Sequence, residues 1–150
     1  MQISFGVIFS IIIIIAVIGV AFYVIVKFLD TSKCSEVNLF HRDFENYIEK
    51  AYSAEIHQDT FKSSLPSGIE QVCFGTPDPS YSDKDVYIAL KNYKNSDKNV
   101  FLYPPKKACA PSIKLEHISV SGFFCIPVKD GKIQIKTEKQ APDSITIKPE

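Results

Sequence analysis

No charged side chain occurs among the first 26 residues of this 150-residue chain. Seventeen of the residues from Ile3 to Val26 are Ile, Val or Phe. As a helix rising about 1.5 Å per residue, this run is longer than the roughly 30 Å thickness of a bilayer's hydrocarbon layer. Such a segment does not fit the core of a soluble protein of this size, so the sequence predicts a transmembrane helix over residues 1–29.

Motifs of the common enzyme classes do not occur either. There is no G-x-S-x-G, no P-loop and no dinucleotide-binding fingerprint. His41, His57 and His117 are scattered, and none belongs to a metal-ligand motif. The acidic run at 78–85 has neither the glycine nor the distal glutamate of a calcium-binding EF-hand loop. We therefore expect a protein that is not an enzyme and that uses no cofactor or metal.

The 124 residues from Lys27 onward contain all 17 basic and all 17 acidic side chains. Their zero net charge, with both signs interspersed, argues against nucleic acid as a partner, because a nucleic-acid surface requires a basic face. About 120 residues suffice for one domain with a single core and are too few for two.

A cleaved secretory signal is the alternative interpretation of the apolar run, since Gly19-Val20-Ala21 resembles a small-x-small cleavage site. However, no basic residue precedes the run, and it is longer than the usual signal core of about 7 to 15 residues. It also continues past that site as far as Val26. We therefore expect the segment to be retained.

The next segment has the pattern of an amphipathic helix. Between Glu36 and about Ile56, apolar residues recur at spacings of three and four with mostly charged residues between them. These apolar positions are Val37, Phe40, Phe44, Ile48, Ala51 and Tyr52. We assign a stem helix to residues 30–57, which either continues the membrane segment or restarts with Ser32 or Ser35 as its N-cap.

Beyond the stem, the hydrophobic period changes to two. Ile133–Thr137 and Ile145–Lys148 alternate apolar and polar residues, which predicts strands with one face in water. Val86–Leu90, Val100–Tyr103 and Phe123–Ile126 are apolar at successive positions. We expect these three to be central strands covered on both faces.

A hairpin is predicted from about Phe123 to Thr137. Its turn would be Asp130-Gly131, a pair that suits a type I′ turn because glycine adopts positive φ freely. Residues 58–150 therefore form a β-rich head of about five to seven strands. The predicted fold class is α+β: a transmembrane helix, an amphipathic helix and a small antiparallel β domain.

The four cysteines are Cys34, Cys73, Cys109 and Cys125. They contain no C-x-x-C pair, so neither a zinc site nor a thioredoxin-like redox site is supported. An even number of widely spaced cysteines fits two disulfides in an oxidising compartment, and free buried cysteines are the alternative. Of the three possible pairings we favour Cys34 with Cys73 and Cys109 with Cys125. The first would fasten the stem to the early strands.

The extreme N-terminus resembles a known family. Gln2-Ile3-Ser4-Phe5, followed at once by the Ile/Val run, is similar to the mature start of archaeal type IV pilin-like subunits, which have class III signal peptides. Their precursors read K-G-Q-x-S-x-E before an apolar helix, so Gln2 and Ser4 match. The order of apolar helix, amphipathic continuation and β-rich head is also similar. In two places the chain departs from the family: Met1 stands where the family has Lys-Gly, and Gly6 stands where it has glutamate.

The resemblance implies a filament in which the apolar helix packs against its copies. In the family, the glutamate neutralises the freed amino terminus of a neighbouring subunit, and Gly6 cannot supply that charge. We therefore expect either a short basic leader ahead of Met1, or a chain that keeps the pilin layout without polymerising. Minor pilins and the membrane-bound β-domain proteins that accompany archaeal motility filaments are of the second kind.

Two signals disagree about the side of the membrane on which the head lies. The resemblance and the cysteines place it outside the cell, whereas Lys27 and Lys33, which follow a span that no basic residue precedes, favour the cytoplasm. We give the first two signals more weight and expect a single-pass cell-membrane protein with an extracellular head.

The expected role is structural or interactive, in a surface filament or cell-envelope assembly. The expected partners are the lipid bilayer and other pilin-like subunits, which would be contacted through the N-terminal helix. The alternative is a single-pass protein whose extracellular β domain binds a ligand or partner without polymerising.

Overall fold

The computed structural model describes residues 5–141 and 144–149, with only the backbone of residues 140 and 141. The chain is α+β: one long, initially apolar helix is followed by a small, mostly antiparallel β region. It divides into two compact units, Met1–Ser32 and Lys33–Glu150. The elements are helices α1 (Phe5–Ser53) and α2 (Lys84–Leu90), strands β1 (Gln58–Ser64), β2 (Gln71–Phe74), β3 (Val100–Tyr103), β4 (Ser112–Ile113), β5 (Ile118–Ser119), β6 (Phe124–Pro127), β7 (Lys132–Ala141) and β8 (Ser144–Lys148), and 3₁₀ turns at Lys91–Tyr93 and Pro105–Lys107.

Helix α1 runs without a break from Phe5 to Ser53, so the proposed restart at Ser32 or Ser35 does not occur. Two hydroxyl groups in its first part are satisfied by the helix itself. Ser10 Oγ donates to the carbonyl of the residue four positions earlier at 2.8 Å, and Thr31 Oγ1 does the same at 3.0 Å. These bonds leave both polar side chains paired without an outside partner.

The second half of α1 supplies one wall of the core of the second unit. Five of the apolar positions predicted for its inner face are buried: Val37, Phe40, Phe44, Ile48 and Ala51. The Phe44 ring lies 4.9 Å from that of Phe61 on β1 and 6.1 Å from that of Phe74 on β2, measured between centroids. The predicted amphipathic helix is confirmed, and it ends at Ser53, slightly before the expected boundary.

One sheet has the strand order β1-β7-β8-β5. Strand β7 pairs antiparallel with both β1 and β8, while β5 pairs parallel with β8. The alternation predicted for β7 and β8 is confirmed, because Ile133, Ile135, Ile145 and Ile147 are buried and the residues between them are partly or fully exposed, apart from buried Thr137.

The other sheet has the order β4-β3-β2-β6, and its two inner strands, β2 and β3, are covered on both faces. On one face, Val72, Phe74 and Leu102 join the main core, whereas Phe101 packs on the opposite face in a second cluster with Val86 and other buried residues. The prediction that Val100–Tyr103 is a covered strand is therefore confirmed. The prediction that Phe123–Ile126 is a central, covered strand is wrong, because β6 lies at the edge of this sheet and is only partly buried.

The prediction of a strand at Val86–Leu90 is wrong, because this segment forms most of helix α2. The Asp83 carboxylate accepts hydrogen bonds from the backbone N–H groups of Asp85 and Val86, which caps the helix N-terminus. Val86 and Leu90, four residues apart, are both fully buried. A run of five apolar residues fits a short helix as well as a strand, and the cap decides between them.

The predicted hairpin is mostly wrong. Asp130 and Gly131 do adopt the positive φ values of a type I′ turn, at 52° and 70°. However, only Lys129 and Lys132 form a bridge across the turn. Strand β6 then pairs with β2 and β7 pairs with β1, so the two sides of the turn enter different sheets.

Candidate functional site

The most unusual surface of the chain is the first part of α1. Every residue from Phe5 to Leu29 is exposed, including Ile15 at 64% and Phe22 at 67%. Soluble monomers rarely expose a continuous apolar surface of more than a few hundred Å². The helix is long enough and apolar enough to cross a membrane, and none of its most apolar stretch is buried, unlike the core helix of a soluble protein.

Only one of the three positions that carry the pilin resemblance lies within the described residues. Gln2 and Ser4 are outside the described residues. Gly6 lies in the first turn of α1, and its carbonyl accepts the hydrogen bond from Ser10. From Phe5 to Val26 the helix carries no charged side chain, so this described stretch offers no ion pair to a neighbouring copy.

The cysteines form two disulfides, but the expected pairing is wrong. Cys34 is bonded to Cys109, with Cα atoms 5.3 Å apart, and Cys73 to Cys125, with Cα atoms 3.9 Å apart. The topology explains the correction. Strand β6 lies beside β2, which places Cys125 directly opposite Cys73. Because the Cys73 side chain is fully buried within this sheet, the stem cysteine pairs with Cys109 instead.

Each disulfide joins parts of the second unit that are distant in sequence. Cys34–Cys109 links residues 75 apart and fastens the start of the stem to the segment after β3, while Cys73–Cys125 links residues 52 apart. On the chain-entropy model, closing loops of this length stabilises the fold by about 4 kcal/mol each. The head is therefore fastened internally at two places.

A polar cluster joins the stem to the β1-β7-β8-β5 sheet. The Tyr47 hydroxyl lies 2.8 Å from Thr137 Oγ1 and 3.1 Å from His57 Nε2, and the latter two atoms are 2.9 Å apart. The Thr137 hydroxyl also lies 3.2 Å from the carbonyl of Asp59 and can donate to it. Burial raises the pKa of Tyr47, so its hydroxyl stays protonated near neutral pH. The cluster therefore satisfies buried polar groups, with Tyr47 and Thr137 joining helix α1 to strand β7.

The other two histidines have separate surroundings. The His117 ring stacks on Tyr52, with centroids 3.8 Å apart, and its Nε2 lies 4.0 Å from a Glu49 oxygen. His41 Nε2 is buried without a hydrogen-bond partner among the described residues, and burial lowers the His41 pKa to about 4. The three histidines are thus in three different environments.

The acidic run at 78–85 has local structural roles. Asp78 accepts hydrogen bonds from the backbone and hydroxyl of Ser80, both at 2.7 Å, and these bonds lower the pKa of Asp78. Asp83 caps α2. Within residues 5–141 and 144–149, no three His, Cys, Asp or Glu side chains gather in a way that could hold a metal ion.

Sequence reasoning missed one charged surface, the solvent side of strands β1, β7 and β8. Four lysines lie on it: Lys62, Lys132, Lys136 and Lys148. We call this surface the basic face. The sequence does contain a pattern that indicates this face, since lysines occupy the polar positions of the alternating strands. It was overlooked because the charge was summed over the whole chain.

Comparisons with protein-family models, with curated proteins and with solved structures each give no match to this chain. The functional argument therefore rests on the residues and their geometry.

Proposed function

We propose that this chain is a single-pass membrane protein of pilin-like layout with a structural or interactive role in a surface filament or cell-envelope assembly. The observation that carries the proposal is that the two parts of α1 differ in the burial of their apolar side chains. Its first part exposes apolar side chains throughout, and its second part buries one face in the core of a disulfide-linked β head.

The membrane assignment is supported by the energetics of the first part of α1. Thirteen Ile, Val and Phe residues lie between Phe5 and Tyr23. At roughly −0.3 to −0.6 kcal/mol for each central position, inserting them into a bilayer gains at most about 4 to 8 kcal/mol. No charged residue in this window opposes insertion. A helix also pairs its own backbone groups, as the hydrocarbon layer requires.

The extracellular placement of the head is supported by its two disulfides. Disulfides form and persist in oxidising compartments and are rare in the cytosol. Lys27 and Lys33 favour the opposite orientation, and we give these two lysines less weight than the two disulfides.

A second candidate function is a membrane-anchored binding protein that does not polymerise. Gly6 favours it, because the resembled family uses a glutamate at this position to pair with a neighbouring subunit. In this case the apolar helix serves only as an anchor, and the head alone recognises a partner.

Mass spectrometry of surface filaments sheared from intact cells, alongside the washed membrane fraction, tests the filament role. A subunit is expected in both fractions and should remain in the filaments after density-gradient purification. Presence in the membranes with complete absence from purified filaments would refute the filament role and favour the anchored binding protein.

A further inference from the structure

The basic face is a polar and positively charged surface on a unit that is neutral as a whole. Its four lysines, 62, 132, 136 and 148, are all exposed, and two acidic residues, Asp59 and Glu138, lie close to them. Their backbone neighbours on the same side include Thr60, opposite Lys136, and Gln134, opposite Lys62. From Lys33 onward the chain has equal numbers of acidic and basic residues, so the remainder of this unit carries the balancing negative charge.

This arrangement of lysines does not help the sheet to fold. Lys136 on β7 lies directly opposite Lys148 on β8 in the antiparallel register. Like charges at directly opposite positions destabilise a sheet. Lys148 forms an ion pair with Glu138, whereas Lys62, Lys132 and Lys136 have no ion pair with any residue in the described ranges. Three ammonium groups are therefore available to an anion from solution.

The surface also has the shape for an extended ligand. An open hollow of about 570 Å³ is lined by Asp59, Thr60, Lys136, Glu138 and Lys148, among others. A second hollow, lined by Lys62, Lys132 and Gln134, continues along the same strand pair. Lys132 and Lys136 are four residues apart on one strand, which places them about 13 Å from each other. A polymer lying along β7 would meet one lysine after another.

We propose that the basic face binds an acidic polysaccharide, a chain of sugars bearing carboxylate or sulfate groups. The lysines pair with its anionic groups, while the hydroxyl of Thr60 and the amide of Gln134 hydrogen-bond to sugar hydroxyls. The chemistry favours this partner over two others. The described residues of the face include no aromatic side chain on which nucleic-acid bases could stack, and no large apolar side chain that could insert into a lipid surface.

The proposal goes beyond the anchoring role and does not depend on filament formation. A failure to bind acidic polysaccharide would leave the membrane and filament arguments untouched. Exclusion from filaments would likewise leave this binding surface intact.

The test uses the full chain in nanodiscs of phosphatidylcholine, which has no net charge, and fluorescence anisotropy of a labelled oligogalacturonate. The face variant is Lys62→Gln with Lys132→Gln and Lys136→Gln. Its matched control is Lys91→Gln with Lys106→Gln and Lys114→Gln, which removes the same charge from exposed lysines elsewhere.

We expect oligogalacturonate binding that weakens as salt is raised, a loss of about tenfold or more in the face variant, and a change of less than about threefold in the control. Equal losses in the two variants, or equal binding of neutral dextran, would overturn the proposal. So would tighter binding of single-stranded DNA of matched charge, or more effective displacement of the probe by phosphatidylglycerol vesicles than by unlabelled oligogalacturonate.

The single variant Lys136→Gln separates a binding role from a structural one. Because it removes the like charge opposite Lys148, we expect an unchanged or higher melting temperature together with weaker binding. A lower melting temperature with binding unchanged would show that Lys136 serves the fold, contrary to the proposal.

Discussion

The ammonium group of Lys139 donates a hydrogen bond of 2.6 Å to the backbone carbonyl of Tyr52, in the last turn of α1. A second bond, also 2.6 Å, goes to the carbonyl of Ala54. The last carbonyls of a helix have no partner within the helix and carry its negative dipole end. A lysine from strand β7 therefore caps the stem helix and joins it to the β1-β7-β8-β5 sheet.

Replacing Lys139 by methionine should lower the free energy of unfolding of the head by about 1 to 2 kcal/mol, because two charge-assisted hydrogen bonds to the helix end are lost while the side-chain stem remains. Denaturant titration of the full chain in detergent micelles, followed by circular dichroism, measures the change. Lys136→Met, on the exposed side of the same strand, is the control and should cost less than about 0.5 kcal/mol. Equal losses in the two variants would contradict the capping role of Lys139.

The two disulfides should be reduced in a fixed order. Cys109 is exposed, whereas Cys73 is fully buried within the second cluster and Cys125 is half-buried, so a reductant reaches the Cys34–Cys109 bond first. Graded reduction with a phosphine, alkylation of the free thiols and peptide mapping would show the order and the pairing together. Recovery of a peptide linking Cys34 to Cys73 would contradict the fold, and earlier release of the Cys73–Cys125 pair would contradict the burial argument.

Stability of the head should fall as the pH drops from about 6.5 to about 4. Burial lowers the pKa of His41 to about 4, so in this range the unfolded chain takes up a proton at His41 that the folded chain does not. With allowance for its partial exposure, the His41 contribution to the loss is about 1 to 2 kcal/mol.

The variant His41→Leu isolates this contribution. It removes both the proton-binding group and a buried nitrogen that has no partner, so we expect a flatter pH dependence and no loss of stability at pH 7. Denaturant midpoints measured at pH 7 and pH 4.5 provide the comparison. Identical pH dependence in the two proteins would mean that His41 is not the responsible group.

The head should be accessible from outside intact cells. Because all four cysteines are in disulfides, a membrane-impermeant maleimide should label the chain on intact cells only after reductant is added. Labelling without reductant would contradict the disulfides. Labelling that requires cell lysis as well as reductant would place the head in the cytoplasm, which is the orientation that Lys27 and Lys33 favour.

The sequence predicted those parts of the fold that local periodicity determines. Phe40 and Phe44 recur at helical spacing, and Ile133 and Ile135 at strand spacing, so the buried face of each element could be assigned in advance. Segment 86–90 was misassigned because five consecutive apolar residues have no period, and the capping role of Asp83 was not considered.

The rest depended on contacts between residues far apart in sequence. The disulfide pairing follows from the position of β6 beside β2, which no local pattern specifies. The Asp130-Gly131 turn was correctly predicted, but which sheet each flanking strand joins is decided by the core. The basic face likewise appears only when lysines from three strands are placed side by side.

Extraction of isolated membranes with alkaline carbonate tests the central claim most directly, namely that the first part of α1 holds the chain in a bilayer. The unmodified chain should remain in the membrane pellet. Ile14→Arg, which adds a central charge costing about 2.5 to 3.5 kcal/mol of insertion energy, should shift part of it to the supernatant, while Ile14→Leu should not. Recovery of the unmodified full-length chain as a dispersed monomer in the supernatant, without detergent, would contradict the account.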